Sequence, residues 1–152
     1  MDCNGILSKY EPKPENLLEI LHDIQDASGN NFLSDEDVVS ISEYVKMPVD
    51  LVESTLSFYS MFSRKKRGKY VIRICNSPSC YISGSENLIE YIKDKLELSD
   101  NSTTKDGIFT VEISSCLGLC EKSPAMMVNE EVYVNLTKEK IDNIIADYRG
   151  RK

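Results

Sequence analysis

Two closely spaced pairs of cysteines constrain this chain of 152 residues more than any other feature of its sequence. The pairs are Cys75 with Cys80 and Cys116 with Cys120. An apolar run rich in β-branched residues precedes each pair, at 70–74 and at 109–113, and the near-alternating pattern of both runs predicts strands. If the two strands are parallel neighbours, the loops that leave them meet at one edge of the sheet. The sequence therefore predicts four thiolates that converge on one point, as a metal centre requires.

The segment between the two runs supports this arrangement, because its apolar residues recur at helical spacing. They are Leu88, Ile89, Ile92 and Leu96. Residues 83–86 have the pattern of a capping box at the start of this helix. A strand, a helix and a second strand at this spacing form a βαβ unit, in which the strands are parallel and the crossover is right-handed. Cys75 and Cys116 are then expected at the carboxyl ends of neighbouring strands.

The spacing of the cysteines bears on the kind of centre. Plant-type ferredoxins bind a [2Fe-2S] cluster with C-x4-C-x2-C and a distant fourth cysteine, but Ser83 stands at the third position here. Structural zinc sites commonly close four sulfurs from C-x2-4-C pairs. Each iron of a [2Fe-2S] cluster needs two protein thiolates, so the wide pairs favour a cluster and leave a zinc-stabilised scaffold module as the alternative. A disulfide is the weaker interpretation, because nothing marks the chain as secreted.

The rest of the chain predicts a helical half and a mixed half. Amphipathic helices are expected to begin near Pro14, Ser34 and Pro48, and residues 34–37 have the pattern of a capping box. We expect these helices to form a small bundle over residues 1–63. Cys3 lies near an end that is expected to fray, so we interpret it as a bystander.

The last part of the chain completes the predicted second domain, residues 64–152. Two short apolar runs flank Asn129 and Glu130 and predict a β-hairpin, and Thr137 is expected to cap a final helix. With the βαβ unit, the order becomes βαββα, which is that of a thioredoxin-like domain. The predicted fold class is α+β or α/β, with an N-terminal helical bundle followed by a thioredoxin-like βαββα domain.

Four segments in this order resemble the thioredoxin-like [2Fe-2S] ferredoxin family. They are residues 58–62, 67–75, 116–120 and 124–129. The likeness covers nearly the whole chain, from Pro14 to Tyr148. The family includes the small iron–sulfur subunit of NADH:quinone oxidoreductase, with relatives in NAD(P)-linked hydrogenases and formate dehydrogenases. The resemblance implies that the cluster irons are bound by Cys75, Cys80, Cys116 and Cys120.

The surroundings of the cysteines depart from the family pattern. Residues 76–79 and Tyr81 replace a small Thr/Gly-rich loop followed by His, which leaves the ligands intact but changes the hydrogen bonding that tunes the potential. Candidate donors to sulfur are the backbone N–H groups of Gly118 and its neighbours and the hydroxyls of Ser77, Ser114 and Ser115. The nearby acidic residues Glu112 and Glu121 are expected to disfavour an added electron slightly.

The function implied by the resemblance is electron transfer within a larger complex. In the family, the partner subunit holds FMN and the NAD(P)H site, and the small subunit's cluster exchanges single electrons with that flavin. The sequence has no G-x-G-x-x-G, no P-loop and no Cys–His pair arranged for covalent catalysis, so we expect no catalysis by this chain alone.

Composition also predicts which kind of complex contains the chain. A composition rich in Lys, Asn, Ile and Ser is typical of AT-rich genomes, as in many fermentative anaerobes. It favours a soluble NAD(P)-linked, electron-bifurcating hydrogenase, with a further iron–sulfur, hydrogenase or dehydrogenase subunit as partner. Respiratory NADH:quinone oxidoreductase, NAD-dependent formate dehydrogenase and a stand-alone ferredoxin are the alternatives.

Charge and hydropathy exclude other classes of function. A net charge of −7 argues against general nucleic-acid binding. The sequence has no apolar run long enough for direct membrane insertion and no signal-peptide pattern at its start, which predicts a cytoplasmic protein.

The basic segment 63–69 is interpreted as a solvated linker, with docking to an acidic patch on a partner subunit as the alternative. His22 and the aromatic stripe at 58–62 are interpreted as packing residues.

Overall fold

The computed structural model describes residues 3–99 and 102–151, and its contacts divide the chain into two compact units, Met1–Lys66 and Arg67–Lys152. The sequence-based boundary lies between residues 63 and 64. Arg64 belongs with the first unit because its guanidinium donates to the Leu33 carbonyl and pairs with Asp35 and with Glu53, the latter at 3.1 Å. None of the described helices has the length and apolar character that crossing a membrane requires.

Helices make up the first unit. They are α1 (Cys3–Leu7), α2 (Leu17–Ala27, after a 3-10 turn at Pro14–Asn16), α3 (Asp35–Val45) and α4 (Val49–Phe58). The predicted capping box at the start of α3 is confirmed. The Ser34 hydroxyl accepts from the backbone N–H of Asp37 at 3.2 Å, and the Asp37 carboxylate accepts from the backbone N–H of Ser34 at 2.9 Å. Two donors that the first turn would leave unsatisfied are thereby satisfied.

The core of the first unit lies between the apolar faces of these helices. Its fully buried side chains include Ile20, Leu21, Leu33, Ile41, Val45 and Val52. The side-chain amide of Gln25 is buried there and is satisfied at both ends: its nitrogen donates to the Met61 carbonyl at 3.1 Å, and its oxygen accepts from Ser63 N–H at 2.8 Å. Burial of a polar group is favourable only with such partners. His22 packs on the Phe62 ring, with centroids 4.9 Å apart, as expected for a packing residue.

Two expectations for this unit are wrong. The start of the chain does not fray over the described residues, because Ile6 and Leu7 of α1 are buried in the core. The aromatic stripe does not pack as one face either. Helix α4 ends at Phe58, and the next residue, Tyr59, is extended. Helical spacing is therefore lost, which leaves the Phe58 ring 79% exposed while Phe62 is buried.

The second unit is built on a five-stranded sheet in the order β2-β3-β1-β4-β5. The strands are β1 (Tyr70–Cys75), β2 (Ser102–Thr103), β3 (Phe109–Ser114), β4 (Met126–Val128) and β5 (Glu131–Tyr133). Strands β1 and β3 are parallel, in a register that runs from Tyr70 opposite Phe109 to Cys75 opposite Ser114. Strand β4 is antiparallel to β1 and to β5. The predicted βαβ unit and β-hairpin are both confirmed.

Helices α5 (Pro78–Ile82), α6 (Ser85–Leu96) and α7 (Lys138–Gly150) complete this unit. Its core includes the fully buried side chains of Ile72, Ile74, Ile92, Phe109, Met126 and Ile141. Thr137 caps α7 as predicted, since its hydroxyl accepts from Lys140 N–H at 3.2 Å. The capping box predicted at 83–86 is wrong. The N-cap of α6 is Gly84, in a left-handed conformation with φ of 88°, because the chain must turn sharply after α5.

The basic segment between the units is not a free linker along its whole length. Arg64 is bound within the first unit, and Arg67 is 8% exposed and donates to Glu112 on β3 at 2.7 Å. The same carboxylate lies 3.5 Å from Arg73 of β1. The side chains of Lys65, Lys66 and Lys69 are exposed. The interpretation as a solvated linker therefore fails for both arginines, each of which is held by its own unit.

The backbone at Gly68 lies so close to β3 that no side chain fits there. A Cβ atom would lie 2.7 Å from the carbonyl carbon of Phe109 and 2.8 Å from the Ile108 oxygen. We expect Gly68→Ala to lower the free energy of unfolding by about 2 kcal/mol, since overpacking against backbone forces a shift. Urea denaturation of the full chain, with hydrogen exchange of the β1 amides to assign the loss to the second unit, measures this effect.

Gly150→Ala is the matched control for this prediction, because a Cβ at Gly150 meets no atom within 4 Å. It should leave the free energy of unfolding unchanged or slightly raised. Equal effects of the two substitutions would contradict the close approach of residue 68 to β3.

Candidate metal centre

The four cysteines lie at the edge of the sheet where β1 and β3 end. Cys75 is the last residue of β1, and Cys80 lies in α5 rather than in the loop that the sequence predicts. Cys116 follows the end of β3, and Cys120 begins a 3-10 turn, Cys120–Lys122. Parallel pairing of β1 and β3 puts the two cysteine segments, residues 75–80 and 116–120, at one edge of the sheet, as the sequence predicts.

The two pairs differ in burial. Cys75 is 1% exposed and Cys80 is 2% exposed, in a small apolar cluster with Ala125. Leu117, Leu119 and Val134 pack against that cluster. Cys116 and Cys120 are exposed, and their sulfur atoms lie 3.3 Å apart. The site thus has a buried side and a side that faces solvent.

The protonation of the thiols reflects this environment. Burial raises the pKa of Cys75, but hydrogen bonds from the backbone of Ser77, from the Cys80 thiol and from the backbone of Leu117 outweigh it, so its pKa is lowered. Burial, together with the hydrogen bond to Cys75, raises the pKa of Cys80. The hydrogen bond with Cys116 raises the pKa of Cys120, and the charge of Cys75 raises it further. The thiols of the two segments therefore interact with each other.

Several N–H groups are directed at sulfur. Gly118 N–H donates to Cys116 at 3.4 Å, as predicted, and the backbone and hydroxyl of Ser77 bond to Cys75. The hydroxyl of Ser114 is a wrong prediction, because it donates to the Ser115 carbonyl at 3.0 Å. The role proposed for the Ser115 hydroxyl stays a prediction.

The backbone of Leu117, one of the predicted neighbours of Gly118, bonds to Cys75, whereas the backbone donor from Ala125 to Cys80 was not predicted. No side-chain pattern signals a backbone donor that comes from another segment. The expected effect of the acidic residues is also corrected in part, because the charge of Glu112 is compensated by Arg67 and Arg73.

The donor set fits a [2Fe-2S] cluster, because its four sulfurs form two pairs. Among the described residues 3–99 and 102–151, no group of three or more His, Cys, Asp or Glu side chains is placed to hold one metal ion. The sulfurs form instead one buried pair and one exposed pair, so that each iron can take two thiolates. Bonds from N–H groups to the sulfurs stabilise the negative charge of such a centre.

Comparison with known proteins identifies the class. The sequence model of the thioredoxin-like [2Fe-2S] ferredoxin family matches residues 3–149, and the chain belongs to this family. It is therefore an iron–sulfur electron carrier with a thioredoxin-like fold.

Individual relatives belong to larger oxidoreductases. One component of the NADH-quinone oxidoreductase of Rickettsia felis is 31% identical over 148 residues, which are 96% of this chain and 88% of the relative. The HndA component of the NADP-reducing hydrogenase of Solidesulfovibrio fructosivorans is 30% identical over 136 residues, 90% of this chain and 78% of the relative.

A solved structure shares the fold. In NAD+-reducing [NiFe]-hydrogenase in the H2-reduced state, one chain superposes with a TM-score of 0.79 and 20% identity. The match covers 90% of the present chain but only 22% of the hydrogenase chain. This likeness concerns the fold alone.

The difference in burial predicts an order of chemical modification in the metal-free chain. We expect iodoacetamide to alkylate Cys116 and Cys120 well before Cys75 and Cys80, because the reagent must reach the sulfur. Since its pKa is raised, the rate at Cys120 should still increase with pH above the ordinary thiol range. Peptide mapping by mass spectrometry measures both, with half-buried Cys3 as an internal reference. Equal rates at all four cysteines would contradict the described burial.

Proposed function

We propose that this chain holds one [2Fe-2S] cluster on Cys75, Cys80, Cys116 and Cys120 and exchanges single electrons with the FMN of a partner subunit that oxidises or reduces NAD(P)H. The observation that carries the proposal is the meeting of two cysteine pairs at one edge of a parallel β1–β3 pair, in a chain of a [2Fe-2S] family. In this proposal FMN and NAD(P) are bound by the partner subunit and not by this chain.

The bound cluster would supply storage for one electron at a time. The chain's own residues would hold the cluster and set its environment. The four thiolates would hold the irons, and the N–H groups of Leu117, Gly118 and Ala125 would stabilise negative charge on the sulfurs. The apolar cluster around Cys75 and Cys80 excludes water from one side, while exposed Cys116 and Cys120 leave the other side open to a redox partner.

The host complex that we favour is a soluble, NAD(P)-linked hydrogenase of the electron-bifurcating type in the cytoplasm, with a further iron–sulfur, hydrogenase or dehydrogenase subunit. A component of an NADP-reducing hydrogenase among the relatives supports it. A respiratory NADH:quinone oxidoreductase is the alternative, favoured by relatives of similar identity from that complex, such as the Escherichia coli relative at 33%.

Removal of single cysteines tests the ligand assignment. We expect Cys75→Ala, Cys80→Ala, Cys116→Ala and Cys120→Ala each to lose most of the visible absorbance, and the EPR signal on reduction, after anaerobic assembly with iron and sulfide. The reason is that one iron would keep only one of its two thiolates. Cys3→Ala is the matched control and should retain both signals. A colourless wild-type chain that binds zinc, or an unchanged signal in any of the four variants, would overturn the assignment.

Purification with the partner tests the proposed role. The full chain, tagged and isolated anaerobically from its own organism, should bring with it a subunit that contains FMN. NAD(P)H should then reduce the cluster in that complex but not in the isolated chain, because the chain has no nucleotide-binding motif of its own. Co-purification of a hydrogenase subunit supports the favoured host, and co-purification of membrane quinone-reductase subunits supports the alternative. Reduction of the isolated chain by NAD(P)H would contradict the division of roles.

A further inference from the structure

Three serine hydroxyls cluster between the two cysteine segments. Ser79 lies on α5 beside Cys80, and Ser83 follows that helix. Ser123 comes three residues after Cys120. The Ser79 hydroxyl lies 3.2 Å from the Cys120 carbonyl oxygen and 3.3 Å from the Ser123 hydroxyl. The Ser123 hydroxyl donates to the same carbonyl at 2.8 Å. The backbone carbonyl of Cys120, a candidate iron ligand, is therefore contacted by hydroxyl groups from both cysteine segments.

The bonds of this cluster are not equivalent. Each hydroxyl has one proton to donate, whereas a carbonyl oxygen can accept two hydrogen bonds. The bond from Ser123 to Cys120 is local, within one short stretch of chain. Ser79 donates either to the Cys120 carbonyl or to Ser123, and both choices join α5 to residues 120–123. Ser83 reaches this stretch only through Ser123, at 3.2 Å. Ser79 is thus the serine of α5 whose hydroxyl reaches the backbone of Cys120 itself.

The position of this link suggests its role. Leu117, near the start of the second cysteine segment, packs against the buried cluster of Cys75, Cys80 and Ala125. The other end of the segment is exposed, and Cys120 lies in a 3-10 turn of only three residues. A short exposed turn has few packing contacts to hold a sulfur in place. Ser79→Ala would remove the hydrogen bond from α5 to the backbone of Cys120.

We infer that Ser79 is a positioning residue, which fixes the distance between the buried and the exposed cysteine pairs through the backbone of Cys120. This inference rests on the proposed function, because the pairs are taken as ligands of one cluster. Ser79 acts through position, since its hydroxyl bonds to carbonyl or hydroxyl oxygen. The Ser83 hydroxyl lies within hydrogen-bond distance of both the Ser79 carbonyl oxygen and the Ser123 hydroxyl.

The test compares Ser79→Ala and Ser79→Thr in the full chain. Loss of one hydrogen bond should speed release of iron to a chelator about three- to tenfold in Ser79→Ala, and it should broaden the EPR signal of the reduced protein as the ligand geometry becomes less uniform. Ser79→Thr keeps a hydroxyl and should restore both to near wild type. Ser102→Ala is the matched control, because Ser102 lies on β2 and its hydroxyl donates to the nearby Ser99 carbonyl at 2.7 Å.

A second readout does not depend on the cluster. In the metal-free chain, amide protons of residues 119–122 should exchange faster in Ser79→Ala than in wild type. If Ser79→Ala does not fold, Ser79→Val, which has the shape of the threonine variant without its hydroxyl, should show the same loss of retention. Wild-type release rate, EPR line shape and exchange in Ser79→Ala would overturn the inference. A wild-type chain that binds no cluster would instead overturn the proposed function, while the exchange experiment still reports on the contact itself.

Discussion

The parallel pairing of β1 with β3 is the interaction on which the candidate centre depends. Its register sets Cys75 directly opposite Ser114, so that both cysteine segments leave the sheet at the same edge. A slip of one residue would turn every side chain of one strand to the other face. Such a slip is opposed by the buried residues Ile72, Phe109 and Val111, which must face α6 and α7. The packing of the core therefore positions the thiols.

This dependence explains why so much could be predicted from the sequence. The alternation in 70–74 and 109–113 and the helical spacing between them were sufficient to predict the βαβ unit, and with it the departure of both cysteine segments from one edge of the sheet. The capping residues Ser34 and Thr137 were also identified, because capping depends on a few residues close in sequence.

Features that depend on contacts between distant segments could not be predicted in this way. Cys80 was expected in a loop, but a proline at the first helical position starts the one-turn helix α5. Phe58 has the spacing of a core residue, yet its exposure is decided by where α4 ends. Arg67 belongs to a basic run in the sequence, whereas its partner, Glu112, is far away along the chain. Polar pattern alone does not reveal a partner on another strand.

The place of Cys75 in the sheet has a consequence for the speed of a redox reaction. Its own N–H donates to the Ala125 carbonyl at 3.1 Å, and the next residue donates to the Ser114 carbonyl at 3.2 Å, so the strand is held from both neighbours. As a proposed ligand on so stiff a frame, Cys75 would have little freedom to relax when the charge beside it changes. The structural change that accompanies each change of oxidation state would then take place in the solvent and around exposed Cys116 and Cys120 rather than around buried Cys75.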